Sequence, residues 1–563
     1  MGFLLKTFVG IKGQMLWHSL NKAALNPFKV QQDYLLRLVK TNANTEYGRK
    51  FSFSKIRSED DYQRYVPVCE YKDIEPYIEK IIDRRSNVLT ADTPFMFNIT
   101  SGTTDKPKYI PVTKKAQKNV ADVAAYWLSK ALVDHPHLLN HLNFSITSAA
   151  VEGTTAKGIP YGSASGMIRK STEWMCPGLF SVPSIVNEIK DYDLRYYIMV
   201  RLALEKDVSF VITPNPVTLI RSAEVAIKHQ DDIIRAIRDG HLTGKETFSH
   251  EKENKSIMDK LGLSLKPNPQ RAAGLENIVK EHGKLIPCHY WPNLTLIGCW
   301  LGGSVGVHAE RLSEYYGEKA VRRDIGYLAS EGEFNIPFRD NSPSGILAIK
   351  NNYYEFIHES DSENPSPDVL KSHELEKKEK YKIIITTDSG LYRYDIGDII
   401  RVEDFYHQTP VITFIRKSSD MLNIVGEKLH VNHFLEIFKR IKSQTGLAIK
   451  QFRVVPDHAN IRYEIYLAPD QSITVDALKN HFFPLVDQYL SEVNVEYRSK
   501  RESKRLSAPC FYLMDSSWEE SVRRAFILSG RRDVQFKWKA MSPERLELDE
   551  QHIQQTILPD DTA

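Results

Sequence analysis

Nine residues, Thr100 to Lys108, carry four hydroxyl side chains, one glycine and two lysines. Apolar Phe95-Met96-Phe97 precedes them and Tyr109-Ile110-Pro111-Val112 follows. A polar, glycine-containing run between two apolar β-type runs predicts a strand, a tight turn and a second strand. Hydroxyls and backbone N–H groups in such a turn can cradle phosphate oxygens, and a lysine adds a mobile point charge. A Walker loop is excluded, because that pattern needs a second glycine and a Lys-Ser or Lys-Thr pair. A plain polar hairpin turn has the same composition, so the rest of the chain must decide.

A length of 563 residues gives roughly three or four domain-sized units, or one large body with a small appendix. With 42% hydrophobic and 26% charged residues the chain can bury an ordinary globular core, and a net charge of +3 implies no polyanionic partner. The basic run Arg498–Arg505 has only Tyr497 beside it and reads as a solvated face, so no nucleic acid is expected. Five scattered cysteines without a C-x-x-C pair suit a reducing cytoplasm rather than a disulfide framework or a zinc site. The apolar N-terminal run breaks at Lys6 and Lys12, too early for a signal peptide or a membrane span. Lys6 also stands where myristoylation at Gly2 wants Ser or Thr.

Helical spacing of apolar residues covers 1–40 and 114–133, with a turn at 44–49 between them. His137 and His141 stand four apart, either a metal pair or a polar helix start. Short β runs at 142–146 and 208–212 alternate with a helix at 191–204, and charge-rich helices fill 231–285. A buried strand at 294–300, a helix through 310–316 and a β-to-loop unit at 325–332 continue the series. This strand–loop–helix order predicts an α/β body. The charged run 359–382 reads as a solvated excursion, and a hairpin turns at Asp388-Ser389-Gly390. From about residue 420 a helix near 432–443, strands at 451–455 and 462–467, a helix near 476–490 and a strand at 510–513 predict a compact second domain.

Three further stretches carry chemistry. Tyr327-Leu328-Ala329-Ser330-Glu331 puts a carboxylate at a strand end, where it could hold a divalent cation or a sugar hydroxyl. Leu391-Tyr392-Arg393-Tyr394-Asp395-Ile396-Gly397-Asp398 ends in a carboxylate past a glycine turn, placed to accept two ribose hydroxyls. Arg416-Lys417-Ser418-Ser419-Asp420 stands where the large body meets the small one. Taken singly, a surface Glu, a capping Asp and a charged linker explain them as well. Gly302-Gly303-Ser304-Val305-Gly306 satisfies G-x-S-x-G between a strand and a helix, so a serine hydrolase using Ser304 with His407, His430 or His433 is the rival from another class.

In order and spacing these stretches resemble the ANL adenylate-forming superfamily. Thr100-Ser101-Gly102-Thr103-Thr104-x-x-Pro107-Lys108 resembles its phosphate-binding signature, Tyr327–Glu331 its aromatic-x-x-S/T-E motif, Tyr392–Asp398 its ribose motif and Arg416–Asp420 its hinge. The similarity is closer still to the acyl-acid amido synthetases, the auxin-responsive Gretchen Hagen type, and to their bacterial relatives. Asn44-Thr45-Glu46-Tyr47-Gly48, Tyr65-Val66-Pro67-Val68, Tyr354-Glu355-Phe356-Ile357, Gly426-Glu427-Lys428 and Gln535-Phe536-Lys537 carry it, from about residue 30 to about 540. Asp105 stands where the superfamily usually has glycine, and Lys539-Ala540 where it has a Thr-Pro-like ending. These departures bear on nucleotide affinity or rate, not on fold.

The resemblance implies an α/β fold with a large multi-sheet adenylate-forming body at 1–415, a hinge at 416–420 and a small mobile α+β domain at 421–563. It implies an ATP- and Mg²⁺-dependent ligase that adenylates a small carboxylic acid and passes the acyl group to an amino acid, acting as a cytoplasmic monomer. An acyl-CoA-forming ligase is the alternative within the superfamily. By the same resemblance Thr100, Ser101, Gly102, Thr103, Thr104 and Lys108 form the phosphate site, with Lys108 counted as catalytic, and Glu331 holds Mg²⁺. Asp398 and Arg416 fix the ribose; Gly303, Tyr327 and Ser330 lie near the adenine and α-phosphate. Lys537 reaches the α-phosphate, and residues 150–167 contribute to the acyl pocket.

Overall fold

The computed structural model describes residues 2–558 apart from 101–107, 177, 190, 245–253, 304–305, 363, 365, 419, 426, 471–473, 530–532 and 534–535. The chain divides into two compact units, Met1–Ile415 and Arg416–Ala563.

Among the described residues, three larger sheets and a small hairpin build the first unit. Strands Leu142–Ser145, Val208–Ile212, Leu296–Gly298 and Val321–Arg323 lie side by side, all parallel. Parallel neighbours need long crossovers, and the helices Tyr192–Leu204 and Pro216–Lys228 lie between successive strands. Tyr192–Leu204 is apolar on nearly every side and is buried accordingly, starting at Asp191, whose side chain accepts from Leu194 N at 2.7 Å. The helix Lys114–Asp134 sends Trp127 onto this sheet, stacked on Phe210 with its indole N–H on the Asp324 carbonyl at 2.6 Å.

The second sheet runs Lys108–Val112, Met96–Thr100, Pro160–Gly162, Gly153–Thr154. Its first two strands pair antiparallel from Met96 opposite Val112 to Thr100 opposite Lys108, so the residues flanking the polar run form the predicted hairpin. Its turn, 101–107, lies outside the described residues. The third sheet has seven strands, from Asn335–Pro337 through Gly345–Leu347, Thr409–Lys417, Tyr394–Tyr406, Lys380–Thr386 and Tyr353–His358 to the edge strand Val369–Lys371. Asp388 in its predicted hairpin turn is anchored by Tyr34 Oη at 2.7 Å and Asn119 Nδ2 at 3.0 Å. A buried ion pair, Arg393 Nε to Glu355 Oε2 at 2.9 Å, ties this sheet to the end of the helix Glu59–Tyr65, where the carbonyls of Gln63 and Val66 also accept from Arg393.

The second unit has a sheet of order Ile449–Asp457, Arg462–Pro469, Cys510–Met514, Ile553–Ile557. Its middle pair is parallel and is bridged in sequence by the helices Val475–His481, Phe483–Val493 and Val495–Glu502. The helix Val431–Thr445 buries Phe434, Ile437 and Ile441 in the same core.

Four expectations need correction. Residues 44–49 are not merely a turn: Thr45 caps a short helix, Glu46–Lys50, accepting from Gly48 N at 2.9 Å, and five residues are too few to show a period. The helix expected through 310–316 is two short pieces, Gly306–Glu310 and Ser313–Tyr316, with Leu312 fully buried at the break. The charged excursion 359–382 hides the edge strand Val369–Lys371. The histidine pair fails because the helix ends at Asp134, which leaves no shared helical face. His137 Nδ1 meets Asn140 and His141 Nδ1 meets Asp207, and no group of metal-ligating side chains occurs among the described residues.

Candidate functional site

Open parallel sheets bind ligands beyond the carboxyl ends of their strands, and two predicted site segments leave this sheet there. After Leu296–Gly298 the chain turns through Gly302 and Gly303; after Val321–Arg323 it runs through Asp324 to Tyr327. Asp324 joins the two loops, accepting from Leu301 N and from Gly326 N, each at 2.7 Å. Burial pushes this carboxyl up to about 7, against the backbone N–H groups that favour its charged form. Trp300 Nε1 adds a bond to the Gly326 carbonyl at 3.0 Å. Gly303 has φ +63°, and a Cβ there would lie 2.9 Å from the Phe414 ring, so both conformation and close approach require glycine.

Tyr327 is fixed from two sides. Its N–H donates to Asn335 Oδ1 at 2.8 Å, and its hydroxyl donates to Asp398 Oδ2. Burial, then the Asp398 charge beside it, push the phenol well above its usual range. Its ring lies 5.3 Å from that of Phe414, the ring that also meets Gly303. Structure thus brings Gly303 and Tyr327 together on Phe414, and Asp398 onto the Tyr327 hydroxyl.

Asp398 itself needs a correction. It does not follow a glycine turn but sits within the strand Tyr394–Tyr406, at a bulge. Opposite Lys382 to Ile384 the strand spends the longer stretch Asp395 to Ile399, with Gly397 at φ +72° donating to Asp395 Oδ1 at 2.8 Å. Such a bulge re-aims side chains.

Glu331 likewise occupies not a strand end but the two-residue turn Ser330-Glu331, between the short paired strands Leu328–Ala329 and Gly332–Glu333. Asn98 on the first hairpin strand donates its side-chain N–H to the Ser330 carbonyl at 2.9 Å, so the phosphate-type hairpin and the Glu331 turn are joined directly. Beside them opens a narrow cleft with about 40 Å³ of room for water-sized guests, lined by Asn98, Ser330, Glu331 and Glu333 among others. Of the expected acyl stretch 150–167, Ala164 and Met167 reach its wall. Glu333 is buried there, and burial raises its carboxyl well above the ordinary range.

Of the phosphate run, Thr100 ends its strand and Lys108 begins the next, the Lys108 ammonium lying 5.4 Å from the centre of the Tyr71 ring. Ser101, Gly102, Thr103, Thr104 and Asp105 lie outside the described residues, as does Ser304. In the second unit, Arg416 donates to the Lys417 carbonyl at 3.0 Å, and Asp420 closes a turn with Lys417. Lys537 is exposed, on a segment clamped to the strand Ile449–Asp457 by three bonds. These are Trp538 Nε1 to Phe452 O at 2.6 Å, Arg453 Nε to Lys539 O at 2.9 Å and Val454 N to Ala540 O at 2.8 Å. Sequence reasoning missed Asp324, Phe414, Asn335 and Glu333; an acid one residue past a strand was the only available signal for Asp324.

Residues 16–321 match the GH3 family N-terminal domain, 345–417 its central domain and 432–545 its C-terminal domain. The chain belongs to the GH3 family. Similar GH3 proteins include the jasmonoyl–L-amino acid synthetase GH3.5 of Oryza sativa subsp. japonica, 27% identical, with the match covering 71% of this chain and 72% of that one. The 4-substituted benzoates–glutamate ligase GH3.12 of Arabidopsis thaliana is 24% identical, with 79% of each chain covered. Among solved structures, an AtGH3.15 acyl acid amido synthetase in complex with 2,4-DB superposes with a TM-score of 0.82 at 19% identity, over 97% of both chains. A 2-hydroxyisobutyryl-CoA ligase in the postadenylation state superposes with a TM-score of 0.52 at 13% identity, over 93% of this chain and 90% of that one. The fold of this chain is therefore that of the GH3 structure, and it is shared more loosely with the CoA ligase. Membership in a family whose similar members are named synthetases and ligases displaces the serine-hydrolase alternative. Its candidate histidines fit structural roles: His433 Nδ1 accepts from His430 N at the start of Val431–Thr445, and His407 lies between the paired strands Tyr394–Tyr406 and Thr409–Lys417. No helix among the described residues is long and apolar enough to cross a membrane.

Proposed function

We propose that this chain is an AMP-forming acid–amino acid ligase. Its substrates ATP and a carboxylic acid give an acyl-adenylate and pyrophosphate; an amino acid amine then takes the acyl group, giving an amide and AMP. The observation that carries the reading is the GH3 match across all three domains. The first step sets a carboxylate against an already anionic phosphate, so the protein must neutralise charge and align the attack rather than supply a nucleophile. In this reading Thr100, Ser101, Gly102, Thr103, Thr104 and Lys108 hold the phosphates. Asp398 and Arg416 hold the ribose, while Gly303, Tyr327 and Ser330 frame the adenine and α-phosphate.

Mg²⁺ suits a site with one protein carboxylate, because it binds through one or two carboxylates plus substrate phosphates and retained waters. Glu331, at the turn tied to the phosphate hairpin through Asn98, is the residue that would hold it. Bound there, the ion would offset phosphate charge. All five cysteines are free thiols, which supports work in a reducing compartment such as the cytoplasm.

Pyrophosphate exchange into ATP tests the reading: it should require a suitable acid and no amine. Adding amino acids singly, or coenzyme A, then separates amide formation from thioester formation. Absence of exchange across a broad acid panel would overturn the proposal. A second expectation concerns Asp398. A carboxylate accepting from hydroxyls is a charge-assisted acceptor, so Asp398→Ala should weaken ATP binding by about ten- to a hundredfold, roughly 1.5–3 kcal/mol. Unchanged nucleotide affinity in calorimetry would remove Asp398 from the site.

A further inference from the structure

The cleft beside the Ser330-Glu331 turn is walled largely by apolar side chains, including Met96, Val112, Val120, Met167 and Ile168. Two of its polar residues carry side-chain oxygens that no hydrogen bond reaches among the described residues. Asn98 is 8% exposed; its NH₂ end is committed to the Ser330 carbonyl, which fixes the amide's orientation. Its Oδ1 is buried with no partner among the described residues. Glu333 is 5% exposed; Asn352 Nδ2 donates to its backbone carbonyl at 3.2 Å, but among the described residues no hydrogen bond reaches its carboxyl group.

Buried polar atoms are nearly always paired, and each exception needs an explanation. A purely apolar guest in this cleft would leave the Glu333 carboxyl group unpaired. A guest carrying a hydroxyl would not. A hydroxyl both donates and accepts, so it meets a carboxyl group in either protonation form.

We propose that the cleft receives the acyl acid and selects one bearing a hydroxyl group, with Glu333 as the specificity-determining residue that bonds that hydroxyl. The inference rests on the adenylating reading above and narrows its substrate to hydroxylated acids. A site built to hydrogen-bond a hydroxyl discriminates strongly against the analogue lacking it, because its own polar groups then lose their partners.

The test uses benzoic, phenylacetic and cinnamic acids substituted at each ring position with hydroxyl, amino, methoxy or methyl. Each is assayed by pyrophosphate exchange and, separately, for acid affinity by calorimetry. The best hydroxyl acid should exceed its methyl counterpart by at least about tenfold in kcat/KM and in affinity. Glu333→Leu should abolish or reverse that ratio, while Glu333→Gln, which keeps a carbonyl acceptor, should retain most of it. Methyl acids that equal their hydroxyl counterparts, a preference for amino over hydroxyl, or a ratio untouched by Glu333→Leu would each overturn the proposal, and exchange with any acid would still uphold the adenylating reading. If no acid supports exchange, that reading falls, and the affinity ratios alone decide the role of Glu333.

Discussion

Lys537→Ala is expected to slow acyl-adenylate formation by about a hundred- to a thousandfold while leaving amide formation from pre-made acyl-adenylate close to wild type. The scale is that of losing one positioned donor to developing transition-state charge. A lysine brought to the α-phosphate stabilises charge that appears chiefly in the transition state, so the rate should fall more than ATP affinity. Lys537 is exposed in the second unit, on a segment whose neighbouring residues Trp538, Lys539 and Ala540 are bonded to the strand Ile449–Asp457. That arrangement suits a residue delivered to a substrate by a small domain that closes for one half-reaction and swings about 416–420 for the next. The check is to assay the halves separately. Equal loss in both, or in neither, would reduce Lys537 to a surface lysine.

Arg453→Met should cost the second unit about 3–5 kcal/mol, the range for breaking a buried ion pair by removing one partner. Arg453 and Asp549 are both almost completely buried, and the Arg453 guanidinium donates to that carboxylate. The same arginine packs against Trp538, 4.7 Å from the ring centre, and bonds the Lys539 carbonyl. Its removal strands a carboxylate that Trp518 Nε1, at 2.8 Å, cannot neutralise. Amide hydrogen exchange along Ile449–Asp457 would report the loss within that unit. The double change Arg453→Met with Asp549→Asn should recover part of it, because no unpaired charge is left behind. A loss below about 1 kcal/mol for the single variant would contradict a stabilising role for the pair.

Much of the frame was legible because patterns of period and polarity survive in sequence. Residues 96–112 read as a hairpin since apolar β residues flank one polar run, and 191–204 read as a helix between two short β runs, where the structure has Tyr192–Leu204 capped by Asp191. The site's finer geometry was less legible. Asp398 reads as post-turn because Gly397 precedes it, whereas the bulge depends on the register against Lys382–Ile384, a non-local fact. Asp324 acts through backbone N–H groups of two loops, and backbone donors leave no residue-type signature. Phe414 matters because it meets both Gly303 and Tyr327, two residues far from it in sequence. Glu333 carries no sequence signal, because its strand Gly332–Glu333 is too short to show a period, yet the structure buries it in the cleft wall.

The central claim, that an acyl-adenylate lies on the path, is tested most directly by oxygen-18. With an acid labelled in its carboxylate that supports pyrophosphate exchange, and an accepting amino acid, attack of that carboxylate on the α-phosphorus carries one label into the phosphate of AMP. Mass spectrometry should find singly labelled AMP and unlabelled pyrophosphate in step with amide formation. Label in inorganic phosphate alongside ADP, or amide formed with unlabelled AMP, would contradict it.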